Sequence, residues 1–246
     1  MGLDKTMQLD KILQSQGFGS RKYCRQLIES GNVAICNSSG NSDTCTNFKI
    51  DVSTQDLALM ILGERWLFRE KIYIALNKPQ GYECSHQPQH HHSVFSVLPE
   101  QLIERGIQCV GRLDQDTTGL LFLTDDGAFL QALTHPKKHV AKRYVVTTNR
   151  PVTDEQIAQL TQGVALRNEK GIYAADDCSK LGEHQLTLTI HQGLYHQVKR
   201  MLAAVGNHVD ALQREQIGQF NMPEDLASGE WIYLSDAQID LARQLG

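Results

Sequence analysis

A glycine-bounded acidic loop that leads directly into an apolar run most constrains the fold of this 246-residue chain. The segment Gly111–Gly127 begins with the loop, which carries Arg112 and, two residues later, Asp114. Leu120–Thr124 follows as an apolar stretch of strand length, and Asp-Asp-Gly then turns the chain. A carboxylate on a loop fixed in this way, with an arginine close before it, indicates chemistry rather than packing.

Elsewhere the sequence predicts more strands than helices, without regular alternation between the two. Strands are predicted at 33–35, around 48–52, and at 72–76, 120–124, 144–148, 185–190 and 231–234. Helices are predicted twice within 8–30, then at 128–133, 154–160 and 195–205, and after a cap at Ser235. This order favours an α+β fold with a mixed, largely antiparallel sheet and flanking helices over a doubly wound fold.

A charged stretch without clear periodicity, Glu64–Glu70, indicates a domain junction. We therefore predict two domains, residues 1–66 and residues 67–246. The first 30 residues of the smaller domain carry more basic than acidic side chains, so their helical surface either follows RNA phosphates or simply faces solvent. The basic residues there are Lys5, Lys11, Arg21, Lys22 and Arg25.

Composition narrows the class of protein further. Apolar residues make up 41% of the chain and charged residues 21%, which is ordinary for a globular protein. The N-terminus lacks the layout of a signal peptide, and the six cysteines form no Cys-x-x-Cys pair, so we expect reduced thiols and a cytoplasmic protein. No apolar run is long enough to span a membrane. A net charge of −4 argues against coating nucleic acid by bulk charge, so local basic patches matter more.

Two such patches stand out in the larger predicted domain. His135–Tyr144 combines four lysine or arginine residues with a terminal aromatic residue and no acid, a combination that suits RNA or merely a solvated turn. His196 and Lys199, spaced to share one helical face, precede Arg200. These three residues either bind RNA or form the solvated face of an amphipathic helix.

Three metal-dependent interpretations apply to the histidines or to the acidic loop. His90–His92 with His86 can be considered as metal ligands, but consecutive histidines point in different directions, which favours a plain loop. Asp114-x-Asp116-x-Thr118 matches a phosphohydrolase pattern, but Gly111 and Arg112 interrupt the buried strand that this pattern requires. The same loop resembles a calcium loop that lacks the bidentate glutamate.

Four separated motifs, taken in order, resemble the RsuA-type pseudouridine synthases. They are Asn77–Gly81, Gly111–Asp114 with Thr118–Leu121, Lys142–Tyr144 and Gly193–Met201. The segment Leu9–Val33 resembles an S4 RNA-binding domain. Within the family, Tyr195–Val209 is most similar to the enzymes that modify one uridine of 16S ribosomal RNA. Large-subunit rRNA synthases of the same family are the near alternative, and a non-catalytic ribosome-assembly protein that binds RNA is a more distant one.

The resemblance implies a role for each site residue. Asp114 is the catalytic carboxylate, acting either as a nucleophile at C1′ or as a base at C2′. Tyr144 stacks on the uracil and helps to remove the C5 proton. Lys199 is the partner cation of Asp114, with Arg200 as the alternative. The residues assigned to RNA binding are Arg112, Lys11, Arg21, Lys22, Arg25, Lys142, Arg143, His196 and Arg200.

The same resemblance implies the partners. We expect ribosomal RNA, either 16S rRNA or an assembling small subunit, as the substrate of a monomeric enzyme that does not bind membranes. The isomerisation is redox-neutral and transfers no external group, so we expect no cofactor and no metal.

Overall fold

The computed structural model describes residues 5–37 and 41–244. These residues form two compact units, one running up to Ile72 with Leu98–Ile107 added, the other comprising the rest of the described chain. The predicted junction between residues 66 and 67 falls inside a strand, Glu64–Leu67, and the chain leaves the first unit only after Ile72. Residues 1–4, which bear on the signal-peptide interpretation, and residues 38–40 of a predicted turn lie outside the described residues.

The first unit combines short helices with short antiparallel strands. Its elements are β1 (Thr6–Gln8), α1 (Leu9–Ser15), α2 (Arg21–Glu29), β2 (Val33–Cys36), β3 (Ser42–Thr44), β4 (Asp51–Ser53), β5 (Ala58–Ile61), β6 (Glu64–Leu67) and α3 (Glu100–Glu104). Strands β3, β2, β5 and β6 form one sheet in that order, and β1 pairs with β4. The two predicted helices are confirmed, and the Ser20 hydroxyl caps α2 by accepting from the Tyr23 N–H.

The core of this unit follows from helical periodicity. Leu9, Ile12 and Leu13 lie on one face of α1 and are fully buried. They pack with Cys24 and Ile28 of α2 in the same hydrophobic cluster. The strand predicted around 48–52 is shorter and later, Asp51–Ser53, because residues 48–49 form a turn.

In its described residues, the second unit contains one large sheet, two separate two-stranded sheets and several helices. Its strands are β7 (Tyr73–Lys78), β8 (Tyr82–Glu83), β9 (His92–Ser93), β10 (Gln108–Cys109), β11 (Thr118–Thr124), β12 (Lys142–Thr148), β13 (Val164–Ala165), β14 (Ile172–Tyr173), β15 (Asp177–Gly182), β16 (Gln185–Ile190), β17 (Val209–Ile217), β18 (Phe220–Asn221) and β19 (Trp231–Tyr233). Its helices are α4 (Gly127–Thr134), α5 (Asp154–Gln162), α6 (Gln197–Ala204) and α7 (Asp236–Arg243), with 3₁₀ turns at Val94–Val97 and Pro136–Lys138.

The sheet has the order β15-β16-β12-β17-β11-β7-β19, with β10 added to β11 and β18 to β17. Within this sheet, as formed by the described residues, the β11–β17 pair is parallel and the other pairs are antiparallel. The predicted α+β class with a mixed, largely antiparallel sheet is thus confirmed. Strand 185–190 was predicted with its observed bounds, since Leu186, Leu188 and Ile190 alternate and are buried.

Helix α6 and strand β17 are two of the elements that differ from the sequence prediction. Helix α6 begins at Gln197 rather than at Tyr195, because His196 adopts a left-handed backbone with φ of 50°. Strand β17 was not predicted, although it lies at the centre of the sheet. Its alternation of buried residues is broken where Arg143 and Tyr144 pair with Gln216 and Arg214, which leaves Glu215 in a bulge.

Strands β11 and β17 lie in close backbone contact at Gly119. Gly119 has a φ of +97°, and a Cβ atom added there would lie 2.3 Å from the carbonyl oxygen of Arg214. Only glycine fits such a position without moving the neighbouring backbone. Immediately beyond it, Leu120 to Leu123 are fully buried, so this contact joins the acidic loop to the centre of the core.

We expect Gly119→Ala to lower the free energy of unfolding by about 2–5 kcal/mol, through backbone strain and a clash with β17. Gly206 also has a positive φ, +78°, but no heavy atom within 4 Å, so Gly206→Ala should cost only about 1–2 kcal/mol. Gly127, with open space and no positive φ, serves as the second control. Chemical denaturation checks all three variants, and equal losses for Gly119→Ala and Gly206→Ala would contradict the clash.

Candidate active site

A cavity of about 340 Å³ opens beside the acidic loop in the second unit. Asp114 reaches it from the loop before β11, Tyr144 from β12 and Lys199 from α6. The structure therefore brings the three predicted catalytic residues to one cavity, although they are far apart in sequence. Proximity alone does not assign a reaction, so the catalytic roles of these residues stay predictions.

Asp114 lies between two basic side chains at the start of α6. The Lys199 ammonium donates to Asp114 Oδ2 at 3.3 Å, and the Nε2 atom of His196 lies 3.3 Å from Asp114 Oδ1. The Asp114 side chain is about one-third exposed, at 31%. A carboxylate that is held on both oxygens and still reaches solvent can meet a substrate that enters the cavity.

Asp116 competes for the same lysine. The Lys199 ammonium donates to both carboxylate oxygens of Asp116, at 2.7 and 2.9 Å. Burial alone lowers the pKa of Lys199, but the hydrogen bond to Asp116 and the charge of Asp114 outweigh it and raise that pKa. Burial raises the pKa of Asp116, and its hydrogen bond to Lys199 turns the net change downward. Asp116 is therefore an ionic partner within the site, and more than a loop residue.

The buried side chain of Lys78 binds the backbone of the loop that carries Asp114. Lys78, the last residue of β7, is fully buried and donates to the carbonyl oxygens of Pro79, Gln115 and Thr117 at 3.0, 3.2 and 2.9 Å. The Gly81 N–H also donates to the Gln115 carbonyl oxygen at 2.7 Å. Burial lowers the pKa of Lys78, while the nearby Asp114 carboxylate acts in the opposite direction. The Asn77–Gly81 motif thus fixes the backbone that carries Asp114.

Tyr144 and Lys142 project from alternate positions of β12 into the cavity. Tyr144 is nearly buried, at 8% exposure, so its ring forms part of the cavity wall. The Lys142 ammonium donates to the Val140 carbonyl oxygen at 2.8 Å. Burial and the positive charge of Arg214 lower the pKa of Lys142 to about 8.

Arg214 is a cavity residue that was not among those predicted from the sequence. It lies on β17 opposite Tyr144, is only 3% exposed and lines the cavity. Its Nε atom donates to the Leu120 carbonyl oxygen at 2.8 Å. The sequence signal for Arg214 is its alternation with Leu212, which indicates a charged residue on the buried face of a strand. This signal was not used, because strand β17 was not predicted.

Three arginines that were predicted to bind RNA differ in their position relative to the cavity. Arg200, the alternative partner for Asp114, instead donates to Glu169 at 3.1 Å and to the Arg167 carbonyl oxygen. Arg143 points away from the cavity and donates to Asn221 Oδ1 at 3.2 Å. Arg112 is exposed and lines the cavity, so it is the one of the three that borders it.

The basic residues predicted to bind RNA in the first unit fall into two groups. Lys11 and Lys22 are exposed. Arg21 and Arg25 both donate to the buried carboxylate of Asp10 at 2.8 Å. Burial raises the pKa of Asp10, but these two arginines outweigh it and keep that pKa below its usual value. They therefore hold α1 and α2 together besides presenting positive charge.

Hydrogen bonds to Glu83 explain the conformation of the loop that contains His90 and His91. The Glu83 carboxylate accepts hydrogen bonds from the backbone N–H groups of Gln89, His90 and His91. Within residues 5–37 and 41–244, no group of three or more His, Cys, Asp or Glu side chains has the arrangement of a metal site. No helix in these ranges is long and apolar enough to cross a membrane.

Comparison with known protein families places this cavity in a known context. The family described as RNA pseudouridylate synthase matches residues 72–204, the segment that contributes Asp114, Tyr144 and Lys199. The chain belongs to the RNA pseudouridylate synthase family. It is therefore an isomerase of RNA uridine, and the cavity is the candidate active site of this synthase.

Individual relatives extend the similarity to nearly the whole chain. A protein of Vibrio vulnificus (strain CMCP6) named "Ribosomal small subunit pseudouridine synthase A" is 36% identical over 236 residues, 95% of this chain and 98% of that protein. The protein of the same name from Escherichia coli (strain K12) is 45% identical over 167 residues, 68% and 72% of the two chains. A crystal structure of a pseudouridylate synthase is similar with a TM-score of 0.67 and 32% identity, covering 95% of this chain and 98% of that one.

We expect Lys78→Met to lower the free energy of unfolding by about 2–4 kcal/mol, because buried carbonyl groups of the Asp114 loop lose their donor. Hydrogen exchange at the Gly81 and Thr117 amides should accelerate in this variant. Lys180→Met is the matched control, since Lys180 donates to a single carbonyl oxygen, that of Val152. A Lys78→Met protein as stable as the Lys180→Met protein would show that Lys78 does not hold the loop.

Proposed function

We propose that this synthase isomerises one uridine of small-subunit ribosomal RNA to pseudouridine, with Asp114 as the catalytic carboxylate. The observation that carries the proposal is the position of Asp114, which lines the same cavity as Tyr144 and is bound by Lys199 and His196. The choice of small-subunit RNA is supported by the name of the Vibrio vulnificus relative, which is similar over nearly the whole chain.

The reaction breaks the C1′–N1 bond, turns the uracil and joins its C5 to C1′. A carboxylate beside the sugar can attack C1′ or remove a proton from C2′, and both roles need its ionised form. The protonated Lys199 lies between Asp114 and Asp116 and balances their negative charges. Since atoms and electrons are conserved within the nucleotide, the chemistry requires no redox cofactor.

The target uridine must leave its stack before Asp114 can reach the sugar. Tyr144 supplies a ring in the cavity wall on which the uracil stacks, an interaction worth about 1–3 kcal/mol per base. Its phenolic oxygen helps to remove the C5 proton. Arg112, exposed at the same cavity, contacts RNA phosphate or fills the space that the target base leaves.

The remaining RNA contacts come from both units in this proposal. Residues 1–66 act as an S4-like RNA-binding domain and present Lys11 and Lys22, with Arg21 and Arg25 contributing charge beside Asp10. Lys142 and His196 contact RNA at the cavity itself. Arg143 and Arg200, held by other side chains, contribute less. A monomeric, cytoplasmic enzyme acting on 16S rRNA or an assembling subunit completes the proposal.

The decisive experiment maps pseudouridine in rRNA from cells with and without the protein, by carbodiimide modification and primer extension. The isomerisation leaves the mass unchanged, but the carbodiimide adduct stops the polymerase. We expect one stop in small-subunit rRNA to disappear without the protein. A lost stop in large-subunit rRNA would move the substrate to that subunit, and no lost stop would favour a non-catalytic assembly protein.

We expect Asp114→Asn to abolish isomerisation. RNA binding should stay within about two-fold, because the basic residues that contact RNA phosphates are unchanged. Asp116→Asn is the matched control, because it removes the other carboxylate bound by Lys199 and leaves Asp114 intact. That control should retain measurable activity. Primer extension and a gel-shift assay give the two quantities, and normal turnover by Asp114→Asn would refute the assignment.

Tyr144→Phe keeps the ring and removes the phenolic oxygen, so we expect RNA binding to persist and turnover to fall by about 10²-fold or more. Tyr173→Phe removes a phenolic oxygen that lies outside the cavity and donates only to the Lys170 carbonyl oxygen, which makes it the control. Single-turnover rates with saturating enzyme separate chemistry from binding. Unchanged turnover in Tyr144→Phe would leave the tyrosine a stacking role alone.

A further inference from the structure

The buried guanidinium of Arg214 has a donor that the protein does not use. Its Nε atom is bound to the Leu120 carbonyl oxygen, but Nη2 is buried and has no hydrogen-bond partner among the described residues. Buried donors of charged groups are rarely left unpaired in folded proteins, because the loss of hydration is not recovered. Since Arg214 lines the cavity, the missing acceptor is expected on a molecule that enters it.

A second polar group with the same property lines the same cavity. The Oγ1 atom of Thr117 is buried and has no hydrogen-bond partner within the described chain. A hydroxyl group both donates and accepts. Thr117 is two residues from Gly119, which lies opposite Arg214 in the parallel register of β11 and β17. The cavity therefore offers one fixed donor and one adaptable hydroxyl.

The depth of Arg214 selects the part of the nucleotide that meets it. Arg112 is exposed and Asp114 is about one-third exposed, whereas Arg214 is only 3% exposed. Phosphates remain joined to the rest of the RNA and stay near the exposed residues. The base is the part that can enter deepest, and Tyr144, which pairs with Arg214 across the strands, provides the ring against its face.

The chemistry of uracil suits one fixed donor at this depth. Its edge presents O2, the N3–H group and O4, in the order acceptor, donor, acceptor. A half-turn about the axis through N3 and C6 exchanges N1 with C5 and, at the same time, O2 with O4. A donor that binds one carbonyl oxygen before the turn therefore meets the other carbonyl oxygen after it.

We propose that Arg214 donates through Nη2 to a carbonyl oxygen of the target uracil and retains the base while it is detached, with Thr117 hydrogen-bonded to the neighbouring edge. The inference rests on the isomerisation proposed above. The C1′–N1 bond breaks with its electron pair moving to the uracil, whose negative charge spreads over O2 and O4. The C5–C1′ bond then forms, C5 loses its proton and N1 gains one.

The charge of the cavity is consistent with this role. Arginine stays protonated at all relevant pH values. Burial and the charge of Arg214 lower the pKa of Lys142 to about 8, so a second cation lies close to the first. Two neighbouring cations repel each other, and a base that carries negative charge relieves this repulsion.

Binding of small nucleotides tests the contact directly. Uridine 5′-monophosphate and pseudouridine 5′-monophosphate are titrated by NMR against the full chain, its Arg214→Met variant and an Arg150→Met control. Arg150 is an exposed arginine of the same unit that does not line the cavity. We expect Arg214→Met to weaken both nucleotides by about 10-fold or more, the loss expected for a charge-assisted hydrogen bond. Wild-type affinity for both nucleotides would overturn the proposal.

Kinetics test the retention of the base. Single-turnover isomerisation of RNA should slow about 10- to 100-fold in Arg214→Met, with RNA affinity unchanged. Arg214→Lys keeps the buried charge and should lose less, and Thr117→Val, which preserves shape, should slow the reaction several-fold. If Arg214→Met does not fold, these two variants decide, and wild-type rates in both would overturn the proposal.

The two proposals fail separately. If the wild-type chain does not modify small-subunit rRNA but binds both nucleotides in an Arg214-dependent manner, the substrate assignment is wrong and the role of Arg214 stands. If it modifies that RNA and Arg214→Met does so at the wild-type rate, the role of Arg214 is wrong and the substrate assignment stands.

Discussion

The close approach of β11 and β17 at Gly119 is the constraint on which the active site depends. Because this position lacks a Cβ atom, the Arg214 backbone can lie beside it and the two strands can pair in parallel. On its other side, β17 pairs antiparallel with β12, and this second pairing sets Arg214 opposite Tyr144. The two pairings of β17 at Arg214 therefore set the relative positions of the acidic loop, the aromatic wall and the buried guanidinium.

The loop itself is stabilised by positive charge from two directions. Lys78 binds its carbonyl oxygens from the buried side, and Lys199 binds the carboxylates of Asp114 and Asp116 at the cavity. A backbone fixed in this way presents Asp114 without a large rearrangement when RNA binds. Lys199 is shared between the carboxylates of Asp114 and Asp116, so it does not bind Asp114 alone.

Local patterns were sufficient for much of the architecture. Helices α1 and α2, the Ser20 cap and strand β16 follow from periodicity and capping alone, since each depends on residues near in sequence. Strand β17 was not predicted, because its alternation of apolar and polar residues is interrupted by a bulge at Glu215 and by the buried Arg214. The buried Arg214 donates a hydrogen bond there to the Leu120 carbonyl oxygen, a contact between segments that are distant in sequence.

The sequence by itself determined the α+β class, the motifs that indicate a pseudouridine synthase, and Asp114, Tyr144 and Lys199 as candidates. Tertiary structure decided which cations meet Asp114. His196 does so because its left-handed backbone precedes α6, whereas Arg200 turns to Glu169. It also revealed Lys78 and Arg214 as parts of the site. Residue type and spacing specify which chemistry is available, but contacts between residues remote in sequence depend on strand order and burial, which local patterns do not contain.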